Sequence, residues 1–467
     1  MSASAKPLLE NATRDLAVFA ASVRYEEVPR EVVERIKLSV LDSIGCCLYG
    51  ATLPWTRKVA AMAQAEQAVP AASLIGMGLK SSVSLAVLVN STAGHAFELD
   101  DIHKESIVHA GSIATPVALA FAEQQGGAPG RDLITAMVAG YEIGVRVGNA
   151  ATMSLFFRGF HPQGTSGAFV AAATAARALD LDADRFQHAL GIVGSQAGGL
   201  MAAQEGAMVK RFHSGRAGQS GVYSALLAKD GFTGIKDVLE AGYGGYLSRL
   251  SGQPKAAGLA PGRRRTWEIL NVGYKPHASV TSIHTALDGL AQIMREQSLQ
   301  ADDILEVHAG LSRMTHQHCA WEYRSQGVTA AQMNLFYGLA VIAHDGAAFT
   351  DQYRESRLSE PKLLAFIERT RASIDPEIDG MGAEFRHAAR IKVTTRDGRV
   401  FEKLILHRRG SPEVPLSPEE IEYKFRHVVR PCVGASRIER IVQLCRVLER
   451  QDSTSELIGL VAAQADA

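Results

Sequence analysis

The chain has 467 residues, 46% hydrophobic and 21% charged, with 49 Lys plus Arg balanced by 49 Asp plus Glu. That length and apolar content suit two or three domains, or one large domain with an insertion. A formal net charge of zero provides no bulk field to recruit nucleic acid or an anionic membrane, so any basic site for an acidic ligand must be local.

Residues 11–50 read as two helices. Asn11 or Thr13 is the candidate cap of the first, which carries Leu16, Phe19 and Ala20 on one face. Pro29 opens the second, where Val33, Ile36, Val40, Leu41 and Ile44 recur at helical spacing. After the small apolar segment AASLIGMG, helices are expected over 82–101, 114–126 and 131–152. Asp132, Asp182 and Asp184 stand near starts of apolar-periodic runs, where a carboxylate complements free N–H groups. The Ala- and Gly-rich stretch 165–230 suits closely packed helices.

Near 262 the pattern changes. GRRR at 262–265 reads as a solvated loop, and strand-like runs appear at 304–310 and 390–406. In the second run Asp397-Gly398 sits between alternating apolar residues, a hairpin signal. Helices at 279–297 and 329–345 alternate with these strands. Ser417-Pro418-Glu419-Glu420 starts another helix, and 434–449 follows. The expected fold is therefore mainly α: a large all-helical domain over 1–262 and 410–467, with an inserted smaller α+β domain over 263–409. The cleft between them is the natural place for a small ligand.

The five cysteines, Cys46, Cys47, Cys319, Cys432 and Cys445, form no CxxC pair, which argues against a disulfide framework or zinc site and fits a cytoplasmic protein. The first twenty residues lack a basic region followed by an apolar one, and no transmembrane span is expected.

Four segments carry candidate chemistry. In His95-Ala-Phe-Glu98-Leu-Asp100-Asp101-Ile-His103, followed by His109, a helix would set His95 and Glu98 on a shared face, and likewise Glu98 and Asp101. This reads either as a solvated acidic helix end or as groups tuned for proton transfer; a metal set of His95, Glu98, Asp101 and His103 matches no strong motif. Arg158-Gly-Phe-His161-Pro-Gln-Gly-Thr-Ser-Gly167 is either a helix-entry turn or a Gly-rich start that offers N–H groups to an anion. Lys210-Arg211-Phe-His213-Ser-Gly-Arg216 is either a solvated basic face or a carboxylate clamp. Tyr274-Lys275-Pro276-His277 opens the inserted domain and can complete a site from the other side, while His316, His318 and Cys319 form a polar cluster of unassigned use.

Taken in order, VLDSIGCCLYGA, NSTAGHAFELDD, the GFHP turn, VKRFHSGRAGQSG, the YKP segment, AAQMNLFYGLA and PLSPEEIEYKF resemble the MmgE/PrpD family over nearly the whole chain. That family contains 2-methylcitrate dehydratases, cis-aconitate decarboxylase and iminodisuccinate epimerase. The resemblance implies a helical body with a smaller α+β lid, a homodimer, and a cleft using no metal or organic cofactor. It implies catalytic roles for Glu98 (commonly aspartate in relatives), His109, His161 and Lys210, and places Lys275 at the start of the lid. Asp101, Arg211, Lys275 and His277 are the candidate substrate-binding residues. The lid histidine of cis-aconitate decarboxylase falls on Val280 here and its lid tyrosine near Thr315, with His277, His284 and His316 nearby. The expected activity is thus a hydro-lyase of the 2-methylcitrate dehydratase type acting on a small polycarboxylate, with epimerase and decarboxylase as alternatives. A non-catalytic metabolite-binding dimer is the alternative from another class.

Overall fold

The computed structural model describes residues 10–259 and 266–464. The GRRR segment and the expected domain boundary at 262 fall outside the described residues. Among the described residues, nine helices form the first part: α1 (Ala12–Ser22), α2 (Arg30–Gly50), α3 (Pro54–Ala65), α4 (Val83–Gly94), α5 (Gly111–Gln124), α6 (Gly130–Phe157), α7 (Pro162–Ala178), α8 (Ala183–Gly194) and α9 (Val209–Lys229). The second part carries α10 (His284–Glu296), α11 (Arg313–Cys319), α12 (Val328–Met333), α13 (Leu335–Asp345), α14 (Pro361–Ile367) and α15 (Pro376–Gly380). The chain ends in α16 (Pro418–Val429), α17 (Ala435–Arg446) and α18 (Ser455–Ala462). The described chain is mainly α.

Strands are few. β1 (Ala72–Leu74) pairs with β2 (Leu79–Ser81), and β3 (Ile102–His103) pairs with β4 (Val272–Gly273). β5 (Ile304–Leu311), β6 (Thr370–Ile374), β7 (Ala389–Thr395) and β8 (Val400–Ile405) form a sheet in the order β6-β5-β7-β8. β5 runs parallel to β6 with Val307 opposite Thr370, and antiparallel to β7 with Val307 opposite Val393. Asp397-Gly398 makes the expected hairpin between β7 and β8, with Gly398 at φ 88°. α10 packs on β7 and β8.

Small residues let the first helices approach closely. A Cβ on Gly221 of α9 would lie 2.3–2.6 Å from Ala171 and Ala172 of α7, so that crossing requires glycine. α16 and α17 return to pack on α2, and α18 packs on α5 and β1. One contiguous set of buried apolar side chains runs from Leu16 through Val170 and Leu287 to Val461, joining helices and sheet.

Several expected boundaries move. Asn11 lies at the start of α1 but in the left-handed region with no side-chain cap bond, and Thr13 is inside the helix, its hydroxyl given to Glu240. The helix expected over 82–101 ends at Gly94. The helix expected over 329–345 is broken at Asn334, whose side chain caps the second piece by accepting from Tyr337 N. Ser417 and Glu420 form the capping box read from sequence. Among the described residues no single helix is long and apolar enough to cross a bilayer. α2 and α3 reach that length together but bend by 85°, and α2 is a core helix.

Candidate active site

The site begins where α4 stops. Past Gly94 the chain turns through residues 95–101, and Glu98 takes a left-handed φ of 55°, a conformation that needs tertiary support in a non-glycine residue. That support is cationic. Glu98 Oε1 accepts from Lys210 Nζ and, at 2.7 Å, from Arg211, both in the first turn of α9; Oε2 accepts from Lys275 at 3.0 Å. Glu98 is 3% exposed, and all three cations are buried. Burial would raise the Glu98 pKa, but Lys210, Lys275 and Arg211 outweigh it and hold the carboxyl well below its usual range. Burial and the neighbouring cations draw the Lys210 pKa down, against the pull of Glu98. Two backbone contacts fix the turn: Gln332 donates to Phe97 O at 2.8 Å, and Lys424 of α16 donates to Leu99 O at 2.6 Å.

Beside this cluster Asp100 meets two imidazoles. His95 Nδ1 lies 2.7 Å from one carboxylate oxygen and His109 Nδ1 lies 3.3 Å from the other. Asp100 is held well below the usual carboxylate range, as its two histidines outweigh burial. Burial pushes the His95 pKa down to about 4. The third imidazole, His161, sits at the N-terminal boundary of α7 with its Nδ1 2.9 Å from His213 Nδ1. Burial, His95 and Lys210 hold its pKa well below the usual histidine value. The His95 ring centroid is 4.9 Å from that of His109 and 5.9 Å from that of His161. Gln163 ties the parts together, accepting from His109 N at 2.9 Å and donating to His109 O at 3.1 Å.

Gly164 and Gly167 of GFHPQGTSG serve packing here, and Gly159 serves a left-handed turn at φ 85°. Gly164 and Thr165 N–H groups are both given to His161 O, and Pro162 has none, so the first turn of α7 is not an open anion cradle. A Cβ on Gly164 would meet Gly198 O at 2.2 Å.

A cavity opens over these groups. His95, Glu98, His109, His161, Lys210 and Lys275 line it. Val280, Thr281, Ser282, Met314, His318, Met333 and His387, from the second part of the chain, line it too. Four expected catalytic residues, Glu98, His109, His161 and Lys210, therefore share one cavity with Lys275, and Arg211 backs it through Glu98. β3 and β4 make this possible: their pairing carries the Glu98–His109 segment against the Lys275 segment.

Two expected binding residues lie elsewhere. Asp101 turns away, accepting from Tyr141 Oη at 2.6 Å and Gly111 N at 3.0 Å; burial pushes its carboxyl up to about 7. His277 points to Asp288, 2.9 Å away, and stacks edge-on to His284, on a different cavity beside Tyr423 and His427. The metal set of His95, Glu98, Asp101 and His103 does not assemble, because Glu98 is given to cations, Asp101 to Tyr141 and His103 to Glu268. The group with metal-ligand proximity is His95, Asp100 and His109. There His95 Nδ1 is hydrogen-bonded to one Asp100 oxygen, while His109 Nδ1 lies 3.3 Å from the other.

Sequence reasoning placed neither Asp100 nor His387 in the site, and left His95 and His318 without catalytic roles. Of the lid positions, Val280 lines the cavity while Thr315 is buried, donating to Arg386 O at 2.7 Å. The imidazoles that reach the cavity from this part of the chain are His318 and His387, not His277, His284 or His316. His318 had a visible signal in its polar cluster; His387, alone in FRHAAR, had none.

Buried imidazoles, a paired carboxylate and clustered ammonium groups in a helical protein define a class of acid–base site. The MmgE/PrpD N-terminal domain matches residues 14–257 and the MmgE/PrpD C-terminal domain matches residues 277–450. The chain belongs to the MmgE/PrpD family. It is 30% identical to the cis-aconitate decarboxylase-like protein oryM of Aspergillus oryzae, over 97% of this chain and 98% of that one. It is also 30% identical to a cis-aconitate decarboxylase of Aspergillus terreus, over 96% and 95% of the two chains. The human cis-aconitate decarboxylase is 24% identical over 97% and 95%.

Proposed function

We propose that this chain is a lyase that generates negative charge next to a carboxylate of a small polycarboxylate, and that its α+β part serves as a lid over the cavity. The observation that carries the reading is the meeting of Glu98, Lys210 and Lys275, backed by Arg211, with three imidazoles in one cavity. Three cations against one carboxylate leave two positive charges in excess, a good match for a bound anion whose charge grows in the transition state.

Removal of a proton α to a carboxylate needs a neutral base. His161 is that base: among the described residues it has no carboxylate partner, and its surroundings disfavour the imidazolium. His161 takes the carbon-bound proton and the electron pair moves onto the adjacent carboxylate, beside Lys210 and Lys275. The carbon–oxygen bond to the β-hydroxyl then breaks as His109, oriented by Asp100, delivers a proton to the departing oxygen. Glu98 stays ionised, holding the cations in place instead of supplying a proton. The result is an alkene and water, the reaction of a hydro-lyase.

A second reading is loss of CO₂, favoured by the 30% identity to a cis-aconitate decarboxylase across 96% of the chain. It uses the same cations, with the proton delivered to carbon. Incubation with 2-methylcitrate, citrate, cis-aconitate and iminodisuccinate, followed by NMR in heavy water, separates these routes. Alkene formation from a hydroxy acid supports the hydro-lyase. CO₂ release from cis-aconitate replaces it with the decarboxylase, and deuterium uptake without elimination points to an epimerase. No reaction with any of the four sinks the proposal.

A further inference from the structure

The same cavity has a second basic wall, apart from the Glu98 cluster. Arg408 is 5% exposed and lines the cavity. Its NH1 donates to Tyr274 O at 3.3 Å, and among the described residues no carboxylate lies within salt-bridge distance of it. The acidic groups that act on it, Asp288 and Glu413, do so from farther away. Asp288 is already given to His277 Nε2 and Arg409 N.

Two more cations, Lys104 and Arg386, belong to the same cavity lining. Lys104 donates to the backbone carbonyl of Glu384 at 2.5 Å and forms no ion pair among the described residues. Arg386 donates to Lys104 O at 2.7 Å and to Glu105 at 3.2 Å, while its buried Nε has no partner. A desolvated cation is costly unless an anion meets it, and a fixed guanidinium fork suits a carboxylate in particular. The Glu98 cluster carries its own internal anion; on this wall the one carboxylate at ion-pair distance among the described residues is Glu105, on Arg386 and half exposed, while Glu413 acts on Arg408 and Lys104 from farther away.

We infer that Arg408, with Lys104 on the same lining, is a second carboxylate subsite that makes the enzyme select substrates with at least two separated carboxylates. The inference rests on the proposed polycarboxylate chemistry and adds its specificity determinant. One carboxylate is held at Lys210 and Lys275, where charge develops; another, carried on the remote part of the substrate, pairs with Arg408. Binding energy from that remote group then orients the reacting carbon under His161.

Calorimetric titration with tricarballylate, a tricarboxylate with no hydroxyl to lose, tests this without turnover. Arg408→Gln is expected to weaken binding about 10–100-fold, as for loss of one charge-assisted pair, with an unchanged melting temperature. Arg408→Lys, which keeps the charge, recovers part of that loss. A second arm needs no variant: the unaltered enzyme should bind glutarate at least about 10-fold more tightly than glutarate monoamide. Equal affinity of Arg408→Gln and unaltered enzyme for tricarballylate, or equal affinity for glutarate and its monoamide, overturns the subsite while leaving the polycarboxylate reading intact. Failure of the unaltered enzyme to bind either acid overturns both.

Discussion

His161 can accept a proton only while its ring is neutral, and its surroundings keep it so. Burial is the largest influence, with His95 and Lys210 adding to it, and all three lower the ring's affinity for a proton. The acid limb of kcat/KM should therefore lie below the ordinary histidine value near 6.5, with activity retained from pH 7 down past pH 6. A limb at or above 6.5 would remove His161 as the base. His161→Ala should lower kcat about 10²–10⁴-fold while circular dichroism stays unchanged. The convergence of Glu98, His109, His161 and Lys210 on one cavity was legible from sequence because motif order survives where geometry is invisible. Asp100 was not, because three acids within four residues look like a solvated helix end. What sets their fates apart is tertiary: cations from α9 and the Lys275 segment meet Glu98, two imidazoles meet Asp100, and Tyr141 takes Asp101.

Among elements, the long helices and the β7–β8 hairpin could be read from periodicity and turn chemistry, since both are local. The end of α4 at Gly94 could not, because helical spacing continues into a segment that distant side chains pull into a left-handed turn. α16 shows how far those side chains reach. Its Lys424 donates to Leu99 O and pairs with Asp42 of α2 at 2.6 Å, so a helix late in the sequence fastens the turn that carries Glu98. Lys424→Met would strand the Asp42 carboxylate in the core and should cost about 3–5 kcal/mol of stability, measured by denaturant unfolding. Adding Asp42→Asn removes the stranded charge, so the double variant should be more stable than Lys424→Met alone. A Lys424→Met protein as stable as the parent would show that the turn stands without this tie.

At the scale of the whole molecule, the balanced composition hides an uneven placement. Acidic and basic residues are equal in number, yet Lys104, Lys210, Lys275, Arg386 and Arg408 all line one cavity. Sequence totals cannot show this, because the five come from segments spread over three hundred residues. They also come from both parts of the molecule: Lys210 stands on α9 and Arg386 just before β7, with apolar packing continuous between helices and sheet. A ligand held by both walls should stabilise both parts together. At a concentration 100 times Kd, tricarballylate should add about 2.7 kcal/mol to the unfolding free energy. Scanning calorimetry should then show one cooperative transition, displaced upward as a unit. Two transitions with only the helical one displaced would mean that the anion touches α9 and its neighbours alone, and that the basic wall contributed by Arg386 and Arg408 takes no part in holding it.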